Sequence, residues 1–205
     1  MPYGVFSKNR EKSKQVALTF DDGPHPRYTK QILSILEEFD VPATFFVVGI
    51  NAYRYPDVLK EIVDAGCEIG NHTYSHCDMA HTTNSQVQDE ILDCEEIIFQ
   101  QTNQVPHLLR PPEGRFNTLV EEAAQTMNYQ IILWSIDTKD WANTPSETIV
   151  KKVLKELDHG DIILMHDYVS GKNTTCEALR ILIPQILEMG YEFVTVSELI
   201  GGDTT

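Results

Sequence analysis

The chain has 205 residues, 41 % of them hydrophobic, with 16 Lys+Arg against 31 Asp+Glu. That is the length of one domain and the composition of an ordinary globular protein, not of a disordered polyelectrolyte. A formal net charge of −15 argues against nucleic acid or an anionic membrane as partner, because phosphate groups reward clustered Lys and Arg. No apolar run reaches the ~18 residues of a membrane span. Cys67, Cys77, Cys94 and Cys176 share no CxxC spacing, so neither a zinc knuckle nor a dithiol redox motif is written, and the four read as free thiols.

Lys8, Arg10, Lys12 and Lys14 against Glu11 make residues 1–14 a basic, solvated lead-in with no apolar export-signal core, and one domain is expected over 15–205. The run 16–20 reads as a strand ending in Asp21-Asp22-Gly23-Pro24. Ile32, Leu33, Ile35, Leu36 and Phe39 recur at helical spacing over 28–39. The continuous apolar run 43–48, between Pro42 and Gly49, predicts a strand buried on both faces. A helix follows over 56–65, stopped by Gly66, and then a short strand over 67–70. The longest helix is expected over 85–101, then a strand at 108–109, a helix over 117–127 and a strand over 130–135. Helices over 146–157 and 176–189, strands at 162–165 and 193–196, and a last helical turn at 197–200 complete the pattern.

Seven strands alternating with helices imply parallel βαβ units in one sheet or barrel, where chemistry gathers at the C-terminal ends of the strands. Polar clusters fall there five times: Asp21-Asp22, His72 with His76, Arg110, Asp137 with Asp140, and His166-Asp167.

His72 and His76, four apart, share one face of a helical turn and could hold one cation. Alone, an HxxxH pair is more often solvated than ligated, so a third ligand is required. Asp21 and Asp22 supply it. An Asp-Gly-Pro turn explains one aspartate but not two, and neighbours leaving a strand point to opposite sides, so one can bind metal while the other serves as base. Two imidazoles and one carboxylate leave positions open for water and substrate, as a catalytic site requires. His166 is placed to act as acid, Arg110 to pair with the free aspartate, and Asp140, beside Trp141, to orient His166. Singly, each has an ordinary structural explanation; five together would be a large coincidence.

Thr19-Phe20-Asp21-Asp22-Gly23-Pro24, His72-Thr73-Tyr74-Ser75-His76, Arg110-Pro111-Pro112, Asp137-Thr138-Lys139-Asp140-Trp141 and Leu164-Met165-His166 resemble, in order, the five motifs of the polysaccharide deacetylases. These are carbohydrate esterase family 4, with the NodB homology domain. The resemblance spans about 16–199 and implies an α/β fold, a distorted (β/α) barrel of about seven parallel strands. It assigns Asp21 as general base, with Asp22, His72 and His76 as ligands of one divalent metal, usually zinc and sometimes cobalt or nickel. Arg110 then holds Asp21, and Asp140 tunes His166, the general acid. Pro112, Glu113, Trp141 and Leu164 are assigned to the substrate, Trp141 and Leu164 walling the pocket for the acetyl methyl. Family members often carry Tyr after the two prolines, where this chain has Glu113; its backbone N–H would still serve the oxyanion.

The implied partner is an acetylated glycan, met as a monomer, secreted or at the cell envelope. N-acetylglucosamine residues of chitin oligomers or peptidoglycan are expected first, with O-acetyl xylan as the alternative. A glycan-binding module without activity would lack a base, ligand or acid, and none is missing.

Overall fold

The computed structural model describes residues 3–169 and 173–201. In chain order the strands are β1 (Val5–Phe6), β2 (Gln15–Asp21), β3 (Thr44–Val47), β4 (Glu68–Asn71), β5 (Leu108–Leu109), β6 (Gln130–Ile132), β7 (Ile136–Asp137), β8 (Ile162–His166) and β9 (Glu192–Phe193). The helices are α1 (Tyr28–Phe39), α2 (Gly49–Arg54), α3 (Pro56–Asp64), α4 (Asn84–Thr102), α5 (Thr118–Thr126), α6 (Ser146–Glu156), α7 (Thr175–Glu188) and α8 (Val196–Ile200).

Local chemistry sets most of these bounds. The buried stripe Ile32, Leu33, Ile35 and Leu36 fixes α1, and Asp40 ends it in the left-handed conformation. The Thr83–Gln86 capping box starts α4, and Asn117 accepts from two first-turn amides of α5. Pro56 at the first position of α3 separates it from α2, six residues beginning with Gly49 that are too short to show periodicity. Thr195 caps α8 in a second capping box, so Val196 starts a helix instead of ending a strand.

Eight strands lie in the order β1-β6-β5-β4-β3-β2-β8-β7, all pairings parallel, and β9 pairs with the start of β2. The edge pairing of β1 with β6, Val5 opposite Ile131, is a correction to the solvated lead-in. Lys8 is likewise tied down, 2.8 Å from the buried Asp161. Residues 130–135 are not one strand. β6 pairs on the β5 side and β7 on the β8 side, with only residues 133–135 between them. Four Cα steps reach at most about 14 Å, so the sheet must curl until its two edges meet. Arg110 sits at the break: its Nε and Nη2 donate to the carbonyls of Ile132 (3.2 Å) and Leu133 (3.1 Å), satisfying groups that leave the ladder there. The result is the distorted barrel expected, with eight strands on its path rather than seven.

Alternation then sorts each strand. Val16, Leu18 and Phe20 of β2, Phe45 and Val47 of β3, and Ile163 and Met165 of β8 face the helices in one large core. Ala17, Phe46, Leu108, Ile132 and Ile162 form a separate inner core plugged by Val196, Leu199 and Ile200 of α8. The inward parity continues to the strand ends: Ala17-Thr19-Asp21, Leu108-Arg110 and Ile162-Leu164-His166. Register sets Asp21 directly opposite His166 on adjacent strands.

Candidate active site

Asp21 ends β2 with 3 % of its surface exposed. Arg110, fully buried, donates from Nη1 to Asp21 Oδ1 at 2.7 Å and to Thr19 Oγ1 at 2.8 Å. The guanidinium also lies 4.0 Å from the Phe46 ring centroid. All this fixes the direction of the Asp21 carboxylate, whose Oδ2 lies 3.8 Å from His72 Nε2.

The next residue turns away. Asp22 adopts φ 77, in the left-handed region that non-glycine residues avoid. Gly23 follows for reasons of space: a Cβ there would stand 2.0 Å from Asp167 Oδ2. Asp167 fills the room under the turn, its carboxyl taking the Thr29 hydroxyl and its backbone N–H reaching Asp21 O at 3.2 Å. Burial pushes the Asp167 carboxyl up to about 7.

His72 and His76 do not sit on a helical turn. Residues 72–78 form a loop in which Thr73 (φ 67) and His76 (φ 59) are left-handed. Contacts from elsewhere in the chain impose this shape. Gly49 and Ile50 N–H groups bond the carbonyls of Thr73 and Tyr74, Tyr74 N–H bonds Glu90 O, and Ser75 N–H reaches Glu90 Oε2 at 2.7 Å. Behind them the buried Asn71 donates to Ile91 O and Tyr129 Oη and accepts from Thr73 N–H. The histidine rings end 5.0 Å apart, at 69° to each other.

His72 Nδ1 lies 2.6 Å from the Arg110 carbonyl. A carbonyl only accepts, so Nδ1 carries the proton and Nε2 keeps its lone pair. That lone pair faces Asp22 Oδ1 at 3.5 Å, and His76 Nε2 faces the same oxygen at 3.2 Å. Asp22 Oδ1 is buried without a well-formed hydrogen bond. An orphaned carboxylate oxygen facing an imidazole lone pair is what a cation resolves, and the three ligand atoms lie within 4.8 Å of one another. The residues present fit a divalent metal.

His166 closes the other side. Asp140, 1 % exposed, accepts from His166 Nδ1 (2.8 Å), His166 N–H (2.8 Å), Trp141 N–H (3.0 Å) and Thr175 Oγ1 (2.7 Å). With Nδ1–H committed to Asp140, Nε2 is left for chemistry. Burial lowers the His166 pKa, but Asp140, Asp21 and Asp22 more than reverse this and push it up to about 9.

These groups line a cavity of about 550 Å³, which brings together Asp21, Asp22, His72, His76 and His166 with Glu113, Trp141 and Leu164. Three of the expected residues do not line it: Arg110 and Asp140 hold Asp21 and His166 from behind, and Pro112 is buried beside Glu113. Asp137 and Trp134 line it as well. Trp134 shares the parity of the inward-facing Ile132, a signal that strand alternation over 130–135 already carries. Glu113 itself holds a left-handed backbone (φ 56, ψ 11). A larger hollow, about 700 Å³ between α1 and α3, has none of this chemistry.

Comparison with known proteins agrees with the geometry. The polysaccharide deacetylase family model matches residues 8–132. A peptidoglycan-N-acetylglucosamine deacetylase of Bacillus cereus is 41 % identical over 189 residues, covering 91 % of this chain and 88 % of that protein. The crystal structure of a peptidoglycan N-acetylglucosamine deacetylase bound to a naphthalenyl N-oxidanyl-benzamide aligns with TM-score 0.94 and 35 % identity, over 98 % of this chain and 94 % of that one. A family 4 acetyl xylan esterase from Clostridium thermocellum, solved with a cobalt ion, aligns with TM-score 0.85 and 34 % identity, over 92 % and 91 %. On this sequence match and this shared barrel, the chain belongs to the polysaccharide deacetylase family, carbohydrate esterase family 4, and is a hydrolase of carbohydrate acetyl groups.

Proposed function

We propose that this chain removes acetyl groups from N-acetylglucosamine residues of a glycan, peptidoglycan or chitin oligomers, and releases acetate. The observation that carries the reading is the orphaned Asp22 oxygen facing His72 and His76, with Asp21 and His166 beside it. A divalent ion held by Asp22, His72 and His76, zinc as we read it, would polarise the acyl carbonyl and acidify water at neutral pH. Asp21 takes the proton from the attacking water, its position fixed by Arg110. The Glu113 N–H donates to the oxyanion that develops on the acetyl carbonyl. His166 Nε2–H protonates the departing sugar nitrogen while Asp140 stabilises the imidazolium. Trp141, Leu164 and Trp134 enclose the methyl group. We read residues 15–205 as the catalytic domain, with β1 from the preceding stretch completing the edge of its sheet, acting as a monomer at or outside the cell envelope, where such glycans lie.

The test is acetate release measured side by side on peptidoglycan, chitotetraose and acetylxylan. The first two are expected to be turned over and a chelator to stop the reaction. Release from acetylxylan alone would transfer the reading to ester substrates, since both reactions pass through the same tetrahedral oxyanion. His72→Ala is expected to purify without stoichiometric metal, measured by elemental analysis.

The His166 environment also sets a pH limit. An acid whose pKa is raised stays protonated until pH climbs through that value, so activity should fall on the alkaline side, below about 9 because the metal's charge opposes protonation. In Asp140→Asn, burial acts with less opposition, and the alkaline limb of kcat/KM should move down by roughly a pH unit or more at equal metal content. An unmoved limb would remove His166 from the acid role.

A further inference from the structure

Asp22 is aimed at His72 and His76 by a turn that its own backbone disfavours, since its φ of 77 lies where non-glycine residues are rare. Such a conformation persists only where the surroundings over-determine it. Two ties come from α2 and the residue before it: Asn51 Nδ2 donates to Asp22 O and Val48 N–H to Gly23 O, both at 2.8 Å. They hold the carbonyls on one side of the turn. Asp167 holds the other side.

Asp167 stands one residue past His166, just beyond the tip of β8, and is fully buried. Its backbone N–H reaches Asp21 O at 3.2 Å, so the β2–β8 ladder runs on to the first residue of the turn. Its carboxyl lies flat against Gly23, where a Cβ would meet Oδ2, Oδ1 and Cγ at 2.0, 2.3 and 2.4 Å. Oδ2 accepts from the Thr29 hydroxyl, and Thr29 Oγ1 in turn accepts from His25 N–H at 2.7 Å. Asp167 thus meets one short segment at Asp21, at Gly23 and, through Thr29, at His25. Asp22 lies inside that bracket. Asp167 Oδ1 is buried without a hydrogen-bond partner among the described residues, which costs stability. As packing alone, an apolar side chain would fill the space at lower cost. What the carboxyl adds is the hydrogen-bonded link to the turn.

We propose that Asp167 is a positioning residue for the metal ligand Asp22: wedged beneath Gly23 and tied to Thr29, its carboxyl holds the turn that aims Asp22 Oδ1 at the two imidazoles. Because His166 and Asp167 are neighbours, the end of β8 then places the acid directly and the metal ligand through the turn. One element fixes the spacing between them. This rests on the reading of Asp22, His72 and His76 as the metal site.

The test is the zinc affinity of the folded protein, read by competition with a chromogenic chelator, with zinc as the only ligand. Asp167→Ala is expected to bind zinc about ten- to a hundredfold more weakly, the range for groups that orient a metal ligand. Asp167→Asn should stay close to wild type, because its amide oxygen still accepts from Thr29 and fills the same space. Thr29→Val should weaken zinc binding in the same direction and Thr29→Ser should recover it; this pair decides the matter if Asp167→Ala does not fold. A purely structural role predicts instead a lower Tm with wild-type zinc affinity. That result, or an Asn variant as weak as the Ala variant, would overturn the positioning role alone. Should wild type bind zinc no better than His72→Ala, the metal-site reading falls and the positioning role falls with it.

Discussion

Asp21→Asn is expected to lower kcat by about 10² to 10⁴, the range associated with loss of a positioned acid or base, while leaving metal content unchanged. The side chain keeps its shape but no longer takes a proton from water. Its Oδ1 contact with Arg110 is a hydrogen bond the amide oxygen can still accept, so the fold should hold. Asp22, His72 and His76 are untouched, and elemental analysis should return the wild-type stoichiometry. Two results would sink the assignment: turnover within a few-fold of wild type, or metal lost together with activity. The second would make Asp21 a ligand, a role its 3.8 Å separation from His72 Nε2 keeps open to direct measurement.

The second large effect is on stability. Arg110→Met should cost about 3–5 kcal/mol, the range for breaking one partner of a buried ion pair, and should abolish activity as well. The substitution leaves the Asp21 carboxylate buried without its cation, and it removes the side-chain donor from the carbonyls of Ile132 and Leu133. Each of those is a desolvated polar group with a cost of its own. Urea unfolding of the two proteins, compared at equal metal saturation, measures the difference. A loss under about 1 kcal/mol would mean the arginine acts as an ordinary surface-type ion pair and that the barrel closes without it.

The placement of the site was largely legible because strand alternation and parallel topology are both local rules. Asp21, Arg110 and His166 each follow a short apolar run, and two-residue periodicity carries Thr19-Asp21 and Leu164-His166 to the same face. What was hidden depended on atoms far away in sequence. The 72–78 loop lacks helical shape because α2 and Glu90 hold its backbone groups, and nothing within HTYSH records that. The carbonyls at the break between β6 and β7 are taken up by a side chain 22 positions earlier, so nothing within 130–135 announces the break. Val5–Phe6 is too short and too close to a basic stretch to announce itself, yet it pairs with β6. Glu113 was placed in the cavity, but Pro112 was not separable from it until its burial was seen.

The pairing of β2 between β3 and β8 has a consequence for how the protein acquires its activity. Its neighbours are β3, which follows within a few dozen residues, and β8, whose Met165 and His166 lie some 145 positions downstream of their partners Phe20 and Asp21. Such distant parallel pairings form late, because the loop-closure entropy must be met before they return any contact energy. A growing chain can therefore assemble β2 through β5, with α2, Glu90 and Arg110 holding His72 and His76 beside Asp22, before it owns an acid. The ability to hold a cation precedes the ability to turn over substrate, and hydrolytic competence arrives only with the final third of the polypeptide.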